Sequence, residues 1–511
     1  LGMMARAGLA AILVCAAVSH AALLHFSYLL DETYFAAAAR DLLTAGSLVP
    51  ASVLPESHPP LLYAWLALCW KLFGFSIPVA RLAMLSVALL TLAAVFQMAR
   101  LVAEDSVALT ATALTAIYPV FFTHGVMVEL DMTAAGLTLW ALVAYFRGRV
   151  WRASLLFCLA VLAKETAIVA PLAVLVADLP PAGWRGVVAC SGADWRARLR
   201  ARLPLLAPLA ALALWFVYLR RSCGYFFGAP SYADSNLSGN FHLSRAFLAC
   251  LRHMWHLGVY LNLFVLTASA VVVWLCVRPV RPPGRGRRVV RVLMAVAACH
   301  VLFLCLAGSA ALARYMLPIY PMVILGALQL LSRRLRWWPV IALAAAAMFC
   351  AGLFPNTSRY AFHRQDNLAC LDYVALQQAG IAYIGSHAGP QTKIVTDHAE
   401  ELTTPWLGYT VHAFPPAAIV DAELTRDELA SAARQRPQYT LWTPNSACEP
   451  SGMIRASEWI HSPRFNQHWL SAEDVAQIMH ARVVFRAQQG CDSIAVLETM
   501  ASGPATAAVA P

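Results

Sequence analysis

Over its first two-thirds the chain alternates long apolar blocks with short polar runs, and then changes to a mixed pattern. A helix that crosses a bilayer needs about 20 predominantly apolar residues. The blocks predict eleven spans: Ala7–Tyr28, Pro78–Arg100, Ser106–Phe122, Met132–Phe146, Ala153–Leu162, Thr166–Leu179, Leu203–Leu219, Cys250–Val277, Val289–Leu306, Tyr315–Leu331 and Trp337–Leu353. The fifth and sixth adjoin at Lys164-Glu165. One continuous helix would hold that charged pair at mid-bilayer, at a cost of several kcal/mol, so the pattern splits there. Ala7–Tyr28 also has the single early Arg and small terminal residues of a secretory signal. The charges that follow it favour a retained span.

From about Asn356 the periodicity changes. Helices are predicted over Asp366–Ala379, Leu424–Arg434 and Ala472–His480, and strands over Lys393–Thr396, Tyr439–Trp442, Val483–Phe485 and Ser493–Leu497. Alternating strands and helices predict a small α/β domain over residues 356–500. The low-complexity end, Ala501–Pro511, is expected to be disordered.

Composition agrees with this partition. Of 511 residues, 60% are hydrophobic and 13% charged, the latter roughly half of what a soluble protein carries. That excludes a purely soluble protein and a disordered one. The segment before Pro355 holds 28 Lys+Arg and 12 Asp+Glu; the rest holds 10 and 15. A basic chain raises the question of nucleic acid, but these basic residues lie between apolar spans, so no nucleic-acid partner is expected. With the N-terminus cytoplasmic, the cytoplasmic segments collect 19 of the 28 basic residues and four acids, as the positive-inside rule requires. Eleven spans then place the C-terminal domain outside, in the periplasm of a bacterial inner membrane or its extracellular equivalent.

The thirteen cysteines lie mostly in apolar helices, where they read as small hydrophobes. Cys448 and Cys491 share the outer domain and are candidates for a disulfide. There is no Walker loop, GxGxxG, GxSxG or zinc-type cysteine spacing, so nucleotide and serine-hydrolase chemistry lack local support. No internal repeat is visible.

Five charged or polar groups survive at membrane boundaries, all on the outer side of this map. They are Asp31-Glu32, Glu56-Ser57-His58-Pro59-Pro60, Glu129-Leu130-Asp131, Lys164-Glu165 and Arg314-Tyr315. Ionisable residues that converge on one leaflet indicate a site. Lys164 is one of three lysines against 35 arginines, and a compact ammonium suits phosphate. Each group also has an ordinary reading. Acids in a first turn meet the helix dipole. Two prolines make a rigid turn, Arg314 can snorkel, and Lys164 can pair with an outer-loop carboxylate. Their shared side and order carry the weight.

The ordered set, with LAVLAKETAIVAPL around Lys164 and RYMLPIYP at Arg314, resembles the GT-C glycosyltransferases, in the PMT/ArnT-like group called glycosyltransferase family 39. The resemblance covers about residues 5–355. It implies a GT-C-like polytopic α-helical membrane domain over residues 1–355, with a catalytic first outer loop at 31–77 and a C-terminal extracytoplasmic α/β domain. It implies a lipid-linked donor, a sugar on a polyprenyl phosphate, and a glycan, lipid or protein acceptor. Asp31 would be the general base of an inverting transfer, with Glu32, Glu129 and Asp131 as supporting acids. His58, Lys164, Arg314 and Tyr315 would bind the donor phosphate.

The chain departs from the aminoarabinose branch, which has a basic residue just before its Pro-Pro and an Arg three positions after the catalytic Asp. His58 and Tyr34 stand there instead. The WWD motif of oligosaccharyltransferases is missing, which favours transfer of a single sugar. Asp31, Glu129 and Asp131 are also a candidate set for a divalent cation, and His253 and His256 lie one helical turn apart. The loop Arg220–Arg245, with Gly224, Gly228, Pro230 and Gly239, is expected to act as a mobile lid. The competing functions are a secondary transporter, which also keeps ionisable residues in helices, and an inactive relative that binds envelope glycans.

Overall fold

A computed structural model describes residues 2–178, 202–233, 243–276, 284–307, 311–355, 364–389, 392–422, 424–444 and 470–500. It divides into two compact units, residues 1–354 with 365–367, and residues 355–364 with 368–511.

The first unit is helical, and its breaks follow local chemistry. After α1 (Met3–Ser19), Leu30 adopts a positive φ of 52° and turns the chain into α2 (Asp31–Ala45), which Gly46 closes in the left-handed conformation. Next come α3 (Leu61–Phe73) and α4 (Ile77–Ala99). The span expected over Ser106–Phe122 is two helices, α5 (Asp105–Ile117) and α6 (Pro119–His124). Tyr118 precedes Pro119 and is extended, with ψ of 125°, because proline crowds the helical conformation of the residue before it.

The helices α7 (Leu130–Phe146) and α8 (Val150–Ala163) follow and pack closely. Lys164 is extended and a short 3-10 turn, Glu165–Ile168, leads into α9 (Val169–Ala177). The helix therefore stops at the charged pair. Beyond it lie α10 (Ala207–Cys223), α11 (Leu243–Gly258), α12 (Phe264–Cys276), α13 (Gly284–Ala307), α14 (Tyr320–Ser332) and α15 (Trp338–Gly352). The single span expected over Cys250–Val277 is bent by 107° between α11 and α12. Leu261 and Asn262 have positive φ there, 47° and 70°, which no continuing helix tolerates.

Among the described residues, four helices are long and apolar enough to cross a membrane by themselves, and the bent pair makes a fifth. They are Met3–Leu23, Ile77–Ala99, Leu203–Cys223 and Gly286–Leu306. Shorter apolar helices occupy the remaining expected spans.

The second unit has a five-stranded sheet of β1 (Ile394–Thr396), β2 (Ile419–Asp421), β3 (Tyr439–Trp442), β4 (Ala481–Gln489) and β5 (Asp492–Thr499), in the order β2-β1-β3-β5-β4. β1 pairs parallel with β2 and β3, while β5 pairs antiparallel with β3 and β4. The long helix Ala369–His387 packs on the sheet, and Gly380 allows the approach, since a Cβ there would lie 2.7 Å from Ile494. The helix expected from Asp366 starts later, because Gln365–Asn367 pack within the first unit. Cys491 is disulfide-bonded, whereas Cys448 and the expected disordered end at 501–511 lie outside the described residues.

Candidate functional site

A cavity of about 320 Å³ opens in the first unit, walled by residues that lie far apart along the chain. Asp31 and Tyr34 come from the first turn of α2, and Glu56, Ser57 and His58 from the loop before α3. Asp131 begins α7, Lys164 and Glu165 sit at the break between α8 and α9, and Arg314 and Tyr315 form a 3-10 turn before α14. Helix ends and breaks supply these groups because only there can a side chain leave the apolar packing and reach water.

Charges alternate around the wall. Arg314, 5% exposed at its side chain, contacts the Asp31 carboxylate, donates to Glu129 at 2.8 Å and lies 3.6 Å from Asp131. Lys164 donates to Asp131 at 2.7 Å, with its ammonium 4.0 Å from the centre of the Tyr315 ring, a favourable placement over the π-face. His58 is 3.0 Å from Glu165 and 3.4 Å from Glu56. A buried charge is tolerated only when it is paired, and this pairing presents Arg314, Lys164 and, when protonated, His58 to one cavity. Asp31 is the half-exposed member, at 52%.

The loop groups are electrostatically tuned. Burial pushes the Glu56 carboxyl up to about 7; His58 and Arg314 oppose the shift, and Asp31 and Glu165 add to it. Burial would lower the His58 imidazole, but the neighbouring Glu165 and then Glu56 raise it above its ordinary value.

A strap crosses this loop. Gly228 forms an antiparallel bridge with Glu56, and Ala229 N–H donates to the Pro55 carbonyl at 2.7 Å. In the short helix Pro230–Ala233, the Tyr232 hydroxyl lies 3.3 Å from Ser57 Oγ and 3.4 Å from His58 Nε2. Trp215 of α10 donates to the Ser57 carbonyl at 2.9 Å. The expected lid therefore has a described part, through 233, seated on the cavity loop; residues 234–242, with Gly239, lie outside the described residues.

The structure brings Asp31, His58, Asp131, Lys164, Arg314 and Tyr315 to one cavity. Glu129 stands just behind it, wholly buried against Arg314. Glu32 does not line it. That carboxylate is wholly buried, paired with Arg81 and accepting the backbone N–H of Leu29 at 3.0 Å and of Val128 at 2.5 Å. Its task is to tie the start of α2 to α4 and to the chain before α7. The candidate cation set also changes meaning. Asp31, Glu129 and Asp131 converge on the Arg314 guanidinium, and among the described residues no group of three His, Cys, Asp or Glu is spaced to hold a metal. His253 and His256 meet edge to face, ring centres 6.0 Å apart, and His256 packs on Tyr260.

Sequence reading missed Arg81, Tyr232, His124 and Gln365. Arg81 sits near the start of an apolar helix and carried a signal, a charge inside an expected span. Tyr232 and Gln365 had none, since their partners are distant in sequence, whereas His124 stands five residues before Glu129.

An apolar helical body with helix ends converging on a cavity of paired charges is the arrangement that the GT-C resemblance implies. Residues 57–219 match the family described as dolichyl-phosphate-mannose-protein mannosyltransferase. Two crystal structures of ArnT from Cupriavidus metallidurans match nearly the whole chain. The apo form is 17% identical with a TM-score of 0.56, covering 96% of this chain and 98% of that one. The form bound to undecaprenyl phosphate is 17% identical with a TM-score of 0.53, covering 97% and 99%. The Archaeoglobus fulgidus oligosaccharyltransferase is 12% identical with a TM-score of 0.43, covering 85% of this chain and 69% of that one. No curated protein matches the chain.

Proposed function

We propose that the protein transfers a single sugar from a polyprenyl-phosphate donor to an acceptor hydroxyl or amine at the outer face of the membrane, with inversion. The acceptor is a glycan, a lipid or a protein side chain. Asp31 is the general base. As the acceptor atom bonds to the anomeric carbon, its proton passes to the Asp31 carboxylate. The bond from that carbon to the phosphate oxygen breaks on the opposite side, and the lipid phosphate leaves with the electron pair. A phosphate leaves easily once its charge is balanced, and Arg314, Lys164 and protonated His58 are the groups proposed for that task. Tyr315 stacks beneath Lys164 and directs it.

The observation that carries this reading is the shared cavity, in which half-exposed Asp31 faces the same space as the three cations. The ArnT relative bound to undecaprenyl phosphate supports a lipid-phosphate ligand. Eleven crossings, a cytoplasmic N-terminus and an outer C-terminal α/β domain complete the proposal, in a bacterial inner membrane. Incubation with a panel of polyprenyl-phosphate sugars, followed by mass spectrometry of released lipid phosphate, identifies the donor. Asp31→Asn should lower turnover by about 10²- to 10⁴-fold, the range for a general base, while donor binding persists. Unchanged transfer by Asp31→Asn would end the assignment.

A further inference from the structure

Arg314 is gripped from behind as well as from the cavity. Gln365 Oε1 accepts from Arg314 Nη1, and Gln365 Nε2 donates to the Leu29 carbonyl at 3.2 Å, two residues before Asp31. The next residue, Asp366, accepts from the Tyr260 hydroxyl at 2.6 Å, at the bend between α11 and α12. It also lies 3.8 Å from His124 Nε2, whose other ring nitrogen is 3.1 Å from Glu129. Glu129 in turn holds Arg314 at 2.8 Å. Gln365, Asp366, His124 and Glu129 are all at most 2% exposed, so none of them touches a ligand in the cavity.

These contacts close a loop: Arg314, Gln365-Asp366, His124, Glu129 and back to Arg314. A guanidinium is planar, with five donors in a fixed fork, and acceptors on two of its sides fix the rotation of that plane. Gln365 binds both the fork and the backbone of the turn that carries Asp31. The Gln365 amide thus joins the turn that carries Asp31 to the guanidinium that Asp31 and Glu129 also hold.

We propose that Gln365, with the Asp366–His124 pair behind it, is a positioning residue that orients Arg314 toward the donor phosphate and toward Asp31. This rests on the donor reading above. Gln365 stands beyond the last apolar block, where the sequence alone assigns it to the outer domain; the structure places it in the helical unit.

The test is a thermodynamic cycle on the full-length protein in nanodiscs, with undecaprenyl phosphate as the probe. Gln365→Met keeps the shape and removes the acceptor. It should weaken undecaprenyl phosphate binding by about tenfold, the worth of one hydrogen bond to a charged group. In an Arg314→Lys background, which lacks the fork, the same change should have no further effect. With a donor identified, turnover should fall while the acceptor KM stays constant. Equal losses in both backgrounds, or a Gln365→Met affinity within twofold of wild type, would overturn the proposal. If Gln365→Met does not purify as a monodisperse protein, Asp366→Asn takes its place with the same expectation. A wild-type protein that does not bind undecaprenyl phosphate overturns the donor reading instead, so the two failures are distinct.

Discussion

Asp31 and Glu32 are neighbours in sequence with opposite fates. Successive residues of a helix point about 100° apart, so one carboxylate faces the cavity while the other meets Arg81 in the packed interior. Their variants should separate accordingly. Glu32→Gln leaves a buried guanidinium without its counter-charge, which costs about 3–5 kcal/mol. A thermal shift of the purified protein should show a large loss of stability there and little change for Asp31→Asn. Equal melting temperatures for both would remove the structural role of Glu32.

Glu56 is one group from which a pH dependence of the proposed site is expected. Its carboxyl titrates at about 7 in the folded protein, above its ordinary 4.5. A raised acid favours folding while protonated, and that contribution is lost as pH rises from 4.5 through about 7. Ionisation also adds a negative charge beside His58, so affinity for undecaprenyl phosphate should fall over the same interval. Glu56→Gln should flatten that fall. A wild-type affinity constant from pH 6 to 8 would count against it.

At the level of elements, the legible parts are those fixed by local chemistry. The split at Lys164-Glu165 followed from the cost of charge in hydrocarbon, and the helix stops there. The break at Tyr118-Pro119 was written in the proline, though the apolar run concealed it. The bend at Leu261-Asn262 follows Gly258, the last residue of α11, but the apolar pattern continues through it, so periodicity alone could not find it. The strap over the cavity depends on Gly228, whose φ is +83° and whose added Cβ would come 2.7 Å from the Pro55 carbonyl oxygen. Gly228→Ala should cost of order 1–3 kcal/mol of local strain and free the strap. Limited proteolysis near Arg220 and Arg221 should then run faster than in wild type, and an unchanged cleavage rate would argue against the bridge.

For the whole molecule, the proposed topology predicts that single cysteines introduced at Arg149 and Thr499 label from opposite sides of the membrane, the first from the cytoplasm. Labelling of both from one side would leave the tail on the cytoplasmic face. Sequence alone determined the apolar helical body, the change of character near Pro355, most of the sheet and the set of charges left at helix ends. These rest on hydrophobicity and periodicity, which act over a few neighbouring residues. Only tertiary structure decided which carboxylate serves the cavity, that three acids close on a guanidinium, and that Gln365 reaches back to Arg314. Coulombic pairing and desolvation depend on distances between segments far apart in the chain, and folding alone sets those distances.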